Sequence, residues 1–263
     1  MRRMQTDITG EGDPLVLVGG GLTGWLSWVP HAERLAAERR VIRAQLLSVE
    51  TGLNGEPLPA DYSVRMEAEA LGAALDAEGI GTADIAGWSF GGFTSLTYAL
   101  DHPDAVRSLT LIEPPAFWVL RTRGPLPDDV LAEQEVFRGF GPGPITEEQL
   151  EQFTHIAGIV PPGADPRDLP SWPVWLEHRQ SLRISDAPYR LEDDIARVRD
   201  FDRPVLLFNG EGSPPYYHAI IDILAEEFPD ARTEILPAGH APHIVSMEPF
   251  MGMLREFLAD AAR

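Results

Sequence analysis

The sequence predicts an α/β fold: a mostly parallel central sheet flanked by helices, with an inserted helical cap. Three observations predict it. Short apolar runs alternate with helix-like segments in a βαβαβ rhythm up to about residue 120. Between residues 121 and 199 that rhythm stops: prolines are frequent and only short helix-like pieces stand between them. Finally, the stretch Gly87-Trp88-Ser89-Phe90-Gly91-Gly92 sets a serine between glycines at a strand-to-helix corner. The expected division is a core of residues 1–120 and 200–263 around a cap of residues 121–199.

In chain order, 15–18 is a compact apolar run, read as a buried parallel strand that ends in the glycine run 19–24. That run lacks the Lys-Ser/Thr of a phosphate loop and the dinucleotide spacing, so an oxyanion is the anion it would serve. A helix is expected from about 30 to 38, a strand at 41–47 and a polar, proline-containing loop at 52–63. Residues 64–78 carry helical periodicity, with Ala68, Leu71 and Leu75 inside and Glu67 and Glu69 outside. The strand 83–86, the serine corner and a helix from 93 to 100 follow. Pro103 ends that helix, and 106–112 is the next strand. In the cap, helix-like pieces fall at 128–137, 147–159 and 172–184. Beyond it come a strand at 204–208, a helix at 216–228, a short strand at 233–236 and an amphipathic helix at 248–259.

The bulk numbers narrow the function classes. A chain of 263 residues can bury a large core. The formal charge of −20 disfavours nucleic acid as a partner. Without cysteine there is no disulfide, thiolate metal site or cysteine nucleophile. The N-terminal stretch has no apolar signal-peptide core, and no apolar run reaches membrane-spanning length, so the expectation is a cytoplasmic protein with no membrane partner.

The serine corner carries the chemistry. Gly87 and Gly91 keep Cβ atoms out of the two places where strand and helix crowd, and the turn pushes the Ser89 hydroxyl outward. The backbone N–H of Phe90 would face a developing oxyanion, with Gly21 or Leu22 of the first glycine run as the second donor. A serine nucleophile needs a base, and reacting groups gather at the carboxyl ends of parallel strands. His240, in a Gly-containing loop after a late strand, is the candidate, with His243 as the fallback. His31, His155, His178 and His218 lie in or next to helical segments.

Taken together, the glycine run 19–24, the corner 87–92, the strand end 204–211 and the Gly239-His240 loop resemble the α/β-hydrolase superfamily. The resemblance spans nearly all of the chain outside the cap. Two departures stand out. Most members have His-Gly after the first of these strands, where this chain has Val18-Gly19. The Asp expected after strand 204–208 is replaced by Ser213, in the loop that holds Glu211. Some relatives, including one group of haloalkane dehalogenases and the zearalenone-type lactonases, take the acid from the end of the strand after the elbow helix. That position is Glu113, with Glu211 as the alternative acid.

The resemblance implies a serine hydrolase with Ser89, His240 and Glu113 acting through an acyl-enzyme, without metal or organic cofactor. The dehalogenase and epoxide-hydrolase chemistries of the superfamily are excluded, because they need Asp at the elbow. The expected substrate is a mostly apolar, medium-sized carboxylic ester or lactone, lined by Trp25, Trp28, Phe117, Trp118 and Trp175 beside Phe90. The same three groups would also serve a thioesterase, a proline-type aminopeptidase or a carbon–carbon bond hydrolase. The loss of the usual Asp keeps a non-enzymatic ligand-binding module in view. An apolar face of the cap would serve either the substrate or a homodimer.

Overall fold

The computed structural model describes residues 2–141, 143–184 and 186–262. Seven strands form one sheet: β1 (Gln5–Thr9), β2 (Pro14–Val18), β3 (Arg40–Gln45), β4 (Ala83–Trp88), β5 (Val106–Ile112), β6 (Val205–Gly210) and β7 (Ala231–Leu236). Their order is β1-β3-β2-β4-β5-β6-β7. Only β1 runs antiparallel, pairing β3 at the edge; the other neighbours are parallel. The core is therefore a mostly parallel sheet, as the alternating rhythm predicts.

Helices α1 (Val29–Leu35), α2 (Leu47–Leu53), α3 (Val64–Ala77) and α4 (Phe90–Asp101) alternate with the first strands. Between β5 and β6 the inserted region is helical: α5 (Phe117–Arg121), α6 (Asp128–Gly139), α7 (Glu147–Ile156), α8 (Trp172–His178), α9 (Ala187–Arg190) and α10 (Ile195–Arg199). The chain then adds α11 (Pro215–Glu227), α12 (Pro242–Val245) and α13 (Met247–Ala261).

Because side chains alternate across a strand, each strand feeds two cores. Val16 and Val18 of β2 point into a larger cluster with α3, α4, α11 and the inserted helices. Leu15 and Leu17 point into a smaller one with α1 and α13. The strands end level. Trp88 pairs Ile112, Ile112 pairs Phe208, and Gly210 pairs Leu236. The residues just beyond β4, β5, β6 and β7 thus meet at one edge of the sheet, where ligands of open parallel sheets bind.

Two expectations need correction. Glu67 is not on an outer face. It is fully buried, and its carboxylate accepts the N–H groups of Leu47 and Ser48 at 2.8 and 2.9 Å and the Tyr62 hydroxyl at 2.6 Å. These bonds supply the partners a buried carboxylate requires. Burial nevertheless raises its pKa. The strand expected at 41–47 stops at Gln45, and Leu47 already opens α2, which runs into the expected loop. The polar N-terminal segment contributes strand β1.

Candidate active site

The serine corner folds as its glycines require. A Cβ at Gly87 would lie 2.5 Å from Ser95 Oγ and 2.6 Å from the Gly91 carbonyl. One at Gly91 would run into the carbonyls of Val18 and Gly19. Ser89 sits at φ 53°, ψ −126°, between β4 and α4, and its N–H donates to the Ile112 carbonyl at 2.8 Å. Among the described residues, only Ser89 and Glu113 (φ 45°) have positive φ without being glycine. Such conformations cost about 1–3 kcal/mol each and persist only where surrounding structure enforces them.

Those two residues flank one histidine. His240 Nε2 lies 2.8 Å from Ser89 Oγ, and its Nδ1 lies 2.7 Å from Glu113 Oε2. The second oxygen of Glu113 accepts the Gly210 N–H at 2.7 Å. Glu113 is fully buried and His240 nearly so. With Nδ1–H donating to the carboxylate, Nε2 is left to accept the serine proton, the tautomer a general base needs. The His240 loop is held from two sides. The Trp88 indole N–H donates to the His240 carbonyl at 2.6 Å, and the His240 N–H donates to the Gly158 carbonyl at 2.9 Å. The second contact ties the inserted region to the histidine. Glu211, by contrast, is exposed, and its backbone N–H bonds the Leu236 carbonyl.

A narrow cavity of about 40 Å³ opens beside Ser89. Gly21 and Phe90 line it together, and a Cβ on Gly21 would stand 3.4 Å from Phe90 Cβ. As the first residue of α4, Phe90 has a backbone N–H with no intrahelical acceptor. Leu22 turns its side chain into the larger core cluster. This space is far below the several hundred Å³ of a typical ligand pocket.

The aromatic expectations divide. Phe117 lines the cavity and stacks on Tyr189, with ring centroids 4.6 Å apart. The other four do not line it. Trp118, next on the same helix, is rotated by one residue step into the larger core. Trp175 packs on the outside of that core. Trp28 lies in the smaller cluster, against His31, His243 and Phe250. Trp25 is half-buried in a surface groove beside Gln5 and Thr6. His243 is fully buried in the smaller cluster's aromatic group, and neither ring nitrogen has a partner. It is not positioned as a base for Ser89.

Two functionally placed cavity residues, Tyr217 and Glu133, lie outside the sequence reading. The Tyr217 ring stacks on the His240 imidazole at 4.3 Å and 15°, and its hydroxyl lies 3.3 Å from Nε2. Burial raises its pKa far above the usual phenol value, so it stays neutral. Glu133 of α6 also lines the cavity, buried among aromatic rings. Tyr217 follows two prolines and Glu133 sits in an acidic helix, with no local signal marking either.

Comparison with known proteins fits this arrangement. Residues 13–148, just over half of the chain, match the family described as alpha/beta hydrolase fold. The chain belongs to that family. It is similar to 2-hydroxymuconate semialdehyde hydrolase of Pseudomonas sp. (strain CF600), 36% identical over 107 residues; the match covers 40% of this chain and only 37% of that relative. It is also similar to pimeloyl-[acyl-carrier protein] methyl ester esterase of Aeromonas hydrophila, 27% identical over 95% of this chain and 96% of the relative. A hydrolase from Pseudomonas aeruginosa PA01 shares the fold with a TM-score of 0.78 at 22% identity, covering 97% of this chain and 93% of that one.

Proposed function

We propose that the protein is a serine hydrolase that cleaves a carboxylic ester or lactone of a small, mostly apolar molecule through an acyl-enzyme. The observation that carries this reading is the Ser89–His240–Glu113 hydrogen-bond chain, 2.8 and 2.7 Å long, between the two strained backbone positions. Ser89 Oγ attacks the carbonyl as His240 Nε2 takes its proton. Glu113 holds the imidazole tautomer and stabilises the imidazolium. The N–H groups of Phe90 and of Gly21 or Leu22 stabilise the tetrahedral oxygen. His240 then protonates the leaving alcohol, and water, activated by the same histidine, releases the acid.

Glu113 rather than Glu211 is the acid in this reading, which keeps the likeness to zearalenone-type lactonases at the level of acid position. The full-length similarity to a methyl ester esterase supports ester cleavage. The 107-residue similarity to 2-hydroxymuconate semialdehyde hydrolase favours a second reading, carbon–carbon bond hydrolysis by the same groups.

The test is hydrolysis of short p-nitrophenyl esters and small lactones by the wild type and by Ser89→Ala. Turnover in the wild type that falls at least ~10³-fold in the variant supports the reading. A folded wild type that is silent on every ester and lactone but cleaves a vinylogous 1,5-diketone moves it to carbon–carbon cleavage.

A further inference from the structure

Four aromatic rings from four helices line the cavity beside Ser89: Phe117 of α5, Phe137 of α6, Phe153 of α7 and Tyr189 of α9. They interlock. Phe117 stacks on Tyr189 with ring centroids 4.6 Å apart and planes at 7°. Phe137 meets Phe153 edge-to-face at 5.7 Å and faces Tyr189 at 6.4 Å. Tyr189 is tied at both ends. Its hydroxyl donates to Glu133 Oε1 at 3.0 Å, and its carbonyl accepts the Arg121 guanidinium at 2.6 Å. Paired rings resist displacement beyond what burial alone gives, so these contacts make a fixed wall.

The space they leave is about 40 Å³, room for only a few water-sized groups. Gly21 and Phe90 line the same space as Ser89, so a carbonyl bonded to Ser89 is held within it. The alcohol departs once His240 has protonated it. The acyl group stays on Ser89 until water attacks, and that water needs part of the same space. The wall therefore limits the acyl group more than the alcohol.

We propose that the protein is selective for esters of short carboxylic acids, acetyl to propanoyl, and that Phe137 is the specificity-determining residue that sets the length limit. The inference rests on the esterase reading of Ser89. An acyl chain of more than about three or four heavy atoms outgrows so small a space and must displace a ring. Phe137 is the ring that joins the wall: it packs on Phe153 of α7 and Tyr189 of α9, and on Phe140 at 5.4 Å behind it. Forcing an interlocked ring off its rotamer is costly, whereas truncating it opens the space.

The experiment measures kcat/KM along an acyl series (ethyl acetate, propanoate, butanoate and hexanoate) and an alcohol series (ethyl, butyl and hexyl acetate) for the wild type, Phe137→Ala and Phe153→Leu. If only activated esters turn over, the acyl series is read as p-nitrophenyl esters. In the wild type, kcat/KM falls about tenfold or more from propanoate to hexanoate and changes less along the alcohol series. Phe137→Ala raises the hexanoate-to-acetate ratio about tenfold or more. Phe153→Leu, a smaller cut in the same wall, shifts it in the same direction and serves if the alanine variant does not fold. The ratio is taken within one protein, so a general loss of activity from loosened packing does not move it. A wild type that hydrolyses hexanoate as well as acetate overturns the inference and leaves the esterase reading standing. A cut-off confined to the alcohol series, or an acyl cut-off unchanged in the folded variants, also overturns it. A wild type inactive on all of these esters and on the p-nitrophenyl panel overturns the esterase reading and this inference with it.

Discussion

Glu113 holds two partners at once, His240 Nδ1 through Oε2 and the Gly210 N–H through Oε1, each at 2.7 Å. A glutamine there must use its oxygen for one and its amide for the other. With the oxygen kept on Gly210, the amide N–H faces Nδ1 and forces the proton to Nε2, the wrong tautomer for taking the Ser89 proton. Glu113→Gln is expected to lower kcat about 10²–10⁴-fold with the fold intact. Steady-state kinetics beside a circular dichroism spectrum check this. Glu211→Gln, at an exposed site, is expected to change kcat less than about twofold.

Tyr217 touches the same imidazole by its face. Its ring stacking at 4.3 Å fixes the plane of His240, while the hydroxyl, 3.3 Å from Nε2, is a weaker contact than the 2.8 Å of Ser89. Tyr217→Phe is expected to keep kcat within about fivefold, and Tyr217→Ala to lower it by about tenfold or more, since orientation of the base is then lost. Kinetics of the two variants on one p-nitrophenyl ester separate ring from hydroxyl.

His243 is a buried imidazole with both ring nitrogens unpaired, packed against Trp28, His31 and Trp88. Desolvation, with the nearby His31 and His240, holds its pKa well below the ordinary value. The folded state therefore binds this proton less readily than the unfolded chain. The stability is fully present above the ordinary histidine value of about 6.5, and is lost as pH falls from there toward the depressed folded value. His243→Phe keeps an aromatic ring and removes the unpaired nitrogens. It is expected to stabilise the fold by about 1 kcal/mol at neutral pH and by more near pH 5, read from urea melts at the two pH values.

Gly158 couples the inserted region to His240. Its carbonyl accepts the His240 N–H, its φ is +71°, and a Cβ would run into Pro214. Gly158→Val meets both the left-handed backbone and that clash. The expected result is a loss of roughly 1–3 kcal/mol together with a fall in kcat, seen as a lower Tm and slower turnover in the same variant.

Much of this was legible in the sequence because it is local. The elbow rests on Gly87 and Gly91, whose absent side chains are needed within a few residues of Ser89, and the central strands announce themselves as apolar runs between turns. What escaped depends on packing between distant elements. Glu67 looks like an outer-face residue until α2 and Tyr62 bring three donors to it. Strand β1 has a polar sequence and exists by pairing with β3 at the edge. Trp28, Trp118 and Trp175 are large and apolar, but neither size nor, for Trp118, nearness in sequence to the site decides which side of the sheet or helix a ring takes. Tyr217 and Glu133 reach the cavity from α11 and α6, and only the folded arrangement of those helices brings them to Ser89.

The central claim, that Ser89 is a nucleophile activated by His240 and Glu113, is tested most directly by a fluorophosphonate followed by peptide mass mapping. The account predicts one covalent adduct per chain, on the peptide containing Ser89, absent in Ser89→Ala and formed much more slowly in His240→Ala and Glu113→Gln. A folded wild type that takes no label, or a label that persists in Ser89→Ala, would contradict it.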